Sequence, residues 1–143
     1  MRDDLDVLPG WMRRALFATG VMNVLAGIVF SPPAGALRAL GGMPESEQPI
    51  YMATITLFVL LFGVAYLWLA VSGRAERFFI GVAAAGKLSF VTVLAWFWAG
   101  GTLPLRAFLA GTADLVFAVL FMAWLSGAWA ATPHPTSASA TGR

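Results

Sequence analysis

The sequence contains no cysteine, which excludes disulfides, thiolate metal sites, iron–sulfur ligation and thiol redox relays. Histidine is nearly absent as well: His134 is the only one and lies between Pro133 and Pro135, so the chain has no pair of axial ligands for haem. Charge is scarce. Asp, Glu, Lys and Arg make up 11% of the residues, where soluble domains usually carry about 25%. The net charge of +2 comes from cations set singly or in pairs, which is not a phosphate-binding stripe and argues against a nucleic-acid partner. No Ser–His–Asp set, metal-ligand cluster or glycine-rich phosphate loop occurs. Catalysis by this chain alone is therefore not expected, and no cofactor is assigned to it.

What is abundant is apolar residue, 59% of the total. It is gathered into blocks of about 20 residues, the length a helix needs to cross a bilayer. An all-α, membrane-embedded four-helix bundle is expected, with spans at about 11–30, 50–71, 78–100 and 104–126. Residues 1–10 form a leading segment, and the Ala-, Thr-, Ser- and Pro-rich stretch 128–143 is expected to be a disordered tail.

The first block starts near Pro9, which suits a first helical turn, and Ser31-Pro32-Pro33 cannot continue it. Its purely apolar part is short, so Arg13 and Arg14 are expected to snorkel toward headgroups. A cleaved signal peptide is the rival reading. Asp3, Asp4 and Asp6 oppose it because they spoil a basic leader, as does the lack of a small-x-small cleavage site after Phe30. The connections at 73–77 and 101–103 are short, so the second, third and fourth spans are expected to pack as successive antiparallel neighbours. The first connection is longer, and its residues 34–40 can form an interfacial helix before Gly41-Gly42.

Orientation follows from the cations. Arg2, Arg13, Arg14, Arg74, Arg77 and Arg143 fall on one side, and Arg38 and Arg106 on the other, which places both termini in the cytoplasm of a cell with an inner membrane. Trp11, Trp68, Trp124 and Trp129 map to the inner interface, and Tyr51, Trp96 and Trp98 to the outer one, as depth anchors. Tyr66 also reads as interfacial.

Two ionisable residues remain inside the spans, Lys87 and Asp114. Each costs about 2.5 to 3.5 kcal/mol at the centre of a bilayer, so each needs a partner. Lys87 is nine residues from Phe78 and Asp114 nine from Leu105, at opposite edges. At about 1.5 Å per residue both reach the middle of the hydrocarbon, where they can pair. Asn23 reaches a similar depth on a stripe of Thr19, Asn23 and Gly27, and is expected to bring its amide to that pair. Thr54 and Thr56 can bond back to their own helix, and Ser89 and Thr92 do not share the face of Lys87. Gly81 and Gly86 lack the GxxxG spacing and thin the third helix without specifying a dimer. The Asn23–Lys87–Asp114 cluster serves either as bundle glue or as a proton, ion or substrate site.

Four helices, a long first connection with prolines and two tight later turns with nearby glycine resemble the layout of the small DoxX-like membrane proteins, over roughly residues 11–127. That resemblance implies an accessory role beside a respiratory or sulfur oxidoreductase and transfers no site residues. Three functions stay open: an accessory or scaffold subunit binding another membrane protein or lipid, a small oligomeric carrier or proton pathway, and a quinone- or lipid-linked enzyme subunit. The expected partners are the lipid bilayer together with another protein or further copies of the chain.

Overall fold

The computed structural model describes residues 7–43 and 48–130, with side chains through Gly127. These described residues are predominantly helical. Helix α1 is Gly10–Phe30, a 3-10 turn Pro32–Ala34 leads into α2, Gly35–Gly41, and then come α3, Pro49–Ser72, α4, Arg77–Ala99, α5, Leu105–Gly111, and α6, Ala113–Ala130. Four helical stretches, α1, α3, α4 and Leu105–Gly127, are long and apolar enough to cross a membrane. The expected boundaries hold to within a few residues, and α2 forms where the interfacial helix was expected. The side chain of Trp129 and the tail from residue 131 lie outside the described residues, as do residues 1–6 and 44–47.

The fourth span is not the continuous helix that its hydropathy predicts, because α5 and α6 meet at a break on Thr112. The backbone N–H and the hydroxyl of Thr112 both bond the Leu109 carbonyl, at 3.1 and 2.6 Å, and the Leu115 N–H returns to the Thr112 carbonyl at 3.0 Å. Bonds to the third residue back tighten the turn and interrupt the regular ladder. At its other end α6 runs through Ser126, whose hydroxyl bonds the Ala123 carbonyl at 2.9 Å, and on past Gly127.

Helix pairing departs from expectation in part: the third and fourth spans, α4 and α6, pack closely as expected, but the second and third do not. Close backbone approach joins α1 to α3 and α4 to α6, whereas α3 and α4 meet mainly through ring contacts. Phe79 of α4 stacks on Phe62 of α3 at 5.9 Å and meets Tyr66 edge-on at 5.6 Å. A short turn fixes only the ends of two helices; side-chain size sets the separation along the rest. Between α1 and α3 that size is minimal. A Cβ added to Gly63 would stand 3.2 Å from the Asn23 Cβ and 3.3 Å from the Gly20 carbonyl oxygen, so even a methyl there would make α1 give way by a few tenths of an ångström.

The core is concentrated at the end where α1 and α4 begin and α3 and α6 finish. Met12 and Leu16, Tyr66 and Leu69, Ile80 and Ala83, and Phe121 and Trp124 are buried there, one pair from each span. Leu8 closes this end: its N–H donates to the Gly73 carbonyl at 2.8 Å, and Val7 bridges to Arg74. Gly73 makes this possible by taking a φ of +69°, which ends α3 with its N–H on the Leu69 carbonyl and turns its own carbonyl toward Leu8. Trp124, expected at an interface, belongs to this core, while Trp11, Trp68, Trp96, Trp98 and Tyr51 are exposed.

Candidate functional site

Lys87 and Asp114 do meet. The ammonium of Lys87 on α4 donates directly to Oδ1 of Asp114 on α6, and the two side chains are 6% and 17% exposed. Ala83 and Ala84, one turn earlier on α4, are small enough to let this face enter the bundle, and Asp114 stands in the first turn of α6, just after the break. The amino end of a helix carries partial positive charge, so the site offers the carboxylate two sources of attraction. Two aromatic rings complete the surroundings of the ammonium: the centroid of Tyr66 lies 5.6 Å from Nζ and that of Phe117 5.5 Å. Both distances are within the range of cation–π attraction.

Tyr66 is therefore not the interfacial ring that its sequence position suggests. It is 2% exposed and also packs against Phe121, 6.0 Å between centroids. Position along the chain does not place it in the site, because depth alone says nothing about which way a side chain faces. The same reason separates Asn23 from the pair. Its Nδ2 donates to the Val59 carbonyl of α3 at 3.4 Å, so the amide ties α1 to α3 while the ion pair ties α4 to α6. Thr19 and Gly27, the other members of the Asn23 stripe, are buried, and the hydroxyl of Thr19 has no hydrogen-bond partner among the described residues. Thr54 bonds back to the Ile50 carbonyl at 2.8 Å as expected, but the buried hydroxyl of Thr56 does not bond back and has no partner among the described residues. Ser89 and Thr92 are exposed, away from Lys87.

Two arginines have roles that cation counting did not reveal. Arg13 does not simply extend outward: its Nε donates to the Ala70 carbonyl at 2.8 Å and Nη2 to that of Val71 at 3.3 Å. At the opposite end of the same helix pair, Arg38 is buried, with Nη1 donating to the carbonyls of Val29, 3.2 Å, and Ser31, 2.5 Å, and Nη2 to Pro32, 3.4 Å. Each guanidinium supplies donors to carbonyls left open where a helix ends. The legible signal was an arginine within reach of a helix stop: Arg38 follows Ser31-Pro32-Pro33 by a few residues.

Arg13 also borders the groove that this structure opens at the core end. Gly10, Arg13, Arg14 and Phe17 from α1, with Ala70 and Val71 from α3, line this shallow, open groove of about 520 Å³. Comparison with known protein families, curated proteins and solved structures finds no match to the chain.

Proposed function

We propose that this chain is a multi-pass membrane protein of accessory type, a scaffold that holds another membrane protein in place. The observation that carries the reading is how its polar groups are used. The two ionisable residues furthest from the ends of their spans, Lys87 and Asp114, bond each other beside two aromatic rings and so fasten α4 to α6. The surface, by contrast, exposes large apolar side chains on every span, among them Phe17, Leu61, Trp96 and Val119. Such a surface calls for lipid or another apolar protein face. The DoxX-like layout agrees with this role, and the arginine distribution supports cytoplasmic termini in an inner membrane.

Native mass spectrometry of the protein released gently from its own membrane tests the role. A fixed-stoichiometry complex with a second membrane protein is the expected result, and a chain that is always alone refutes it. One observation favours a second reading, a proton or cation pathway: the break at Thr112 lies two residues from Asp114, and interrupted helices border ion sites in carriers. In liposomes with an imposed pH gradient, the accessory reading predicts no flux above empty vesicles. Flux that disappears in a folded Asp114→Asn variant would establish the pathway instead.

A further inference from the structure

The groove at the core end combines charge with shape. Arg13 is anchored there by the carbonyls of Ala70 and Val71, so its position is set before any ligand arrives. A guanidinium has five N–H donors, and these bonds leave three of them available. Arg14 is exposed and makes no hydrogen bond or ion pair with the described residues. Gly10 contributes no side chain, and the space that a Cβ would occupy is open. One turn further along α1, Phe17 is 54% exposed, and Val71 across the groove is 73% exposed. Two cations thus stand at the rim above an apolar wall.

A free inorganic anion would satisfy the arginines and leave that wall bare. A phospholipid satisfies both, because its phosphate is continuous with acyl chains. We infer that this groove binds an anionic phospholipid, its phosphate against Arg13 and Arg14 and its chains along Phe17 and Val71. The inference rests on the spans lying in a bilayer and is independent of any partner protein.

The test uses the full-length protein in detergent, incubated with an equimolar mixture of phosphatidylglycerol and phosphatidylcholine and examined by native mass spectrometry. Phosphatidylglycerol is retained in preference. Arg14→Gln lowers the ratio of the two retained lipids about fivefold, the effect of roughly 1 kcal/mol per cation near anionic lipid, whereas Arg14→Lys stays within about twofold of the native ratio. Arg77→Gln removes a cation from the same end but outside the groove, and it leaves the ratio unchanged. Equal retention of both lipids by the native protein overturns the inference. An equal fall in Arg77→Gln and Arg14→Gln does so too, since that pattern reports general surface charge. Failure of the bilayer reading itself gives a different result: a protein that remains soluble and folded without detergent.

Discussion

Removing the Lys87–Asp114 pair from one side and then from both tests whether the two residues act as a unit. In Asp114→Leu, the ammonium of Lys87 stays behind in a site where its side chain is 6% exposed. Stranding a buried charge costs about 3 to 5 kcal/mol. The Tyr66 and Phe117 rings, 5.6 and 5.5 Å away, return about 2 kcal/mol of that, so the expected loss is roughly 1 to 3 kcal/mol. Lys87→Met leaves the carboxylate instead. No ring attraction compensates it, but at 17% exposure it is less enclosed, and a loss of about 3 kcal/mol is expected. The double variant Lys87→Met/Asp114→Leu strands nothing and should lie within about 1 kcal/mol of the native protein. Thermal unfolding in detergent, followed by tryptophan fluorescence, measures all four proteins. A double variant that loses the sum of the single losses to within about 0.5 kcal/mol would refute the coupling. A larger loss in Asp114→Leu than in Lys87→Met would refute the contribution of the rings.

Three further outcomes follow from particular contacts. Gly63→Leu should lower stability by about 1 to 3 kcal/mol by forcing α1 from α3, while Gly81→Ala, where nothing lies within 4 Å of the added methyl, should raise it by about 0.5 to 1 kcal/mol in the same unfolding assay. Arg38→Ala removes the donors to Val29, Ser31 and Pro32 and should cost about 1.5 to 3 kcal/mol, with faster amide hydrogen exchange confined to the end of α1. For topology, a cysteine replacing Thr102 should react with an impermeant thiol reagent in intact cells and one replacing Glu76 only after lysis; the reverse pattern inverts the assignment.

The positions of the four long apolar stretches were legible because apolar length is a one-dimensional property, and pairing of Lys87 with Asp114 was legible because distance along a helix is one too. Direction around a helix axis is not. Asn23 has the depth of the pair but faces Val59 of α3, and Tyr66 faces inward although its position along α3 resembles that of a belt residue. Separation between helices was hidden for a related reason: it depends on what the opposite helix presents, glycine at Gly20 against Gly63, and rings at Phe62 against Phe79. The break at Thr112 goes with backbone N–H bonds of Thr112 and Leu115 to the third residue back, a local choice that hydropathy does not register.

The pairing of α1 with α3 has a consequence for how the chain is made. The side-chain hydrogen bonds that join these two helices, from Arg13 and Asn23, reach no further along the sequence than Val71. A nascent chain appears amino end first, so this pair can close before α4 has been synthesised. Lys87 comes next, and its counter-ion follows 27 residues later. With the spans in a bilayer as proposed, release of α4 into lipid as a lone helix would expose an unmatched charge at a cost of about 2.5 to 3.5 kcal/mol. The third span is therefore expected to wait beside the insertion machinery until the fourth emerges, so that the two leave together as a hairpin with the charges already joined.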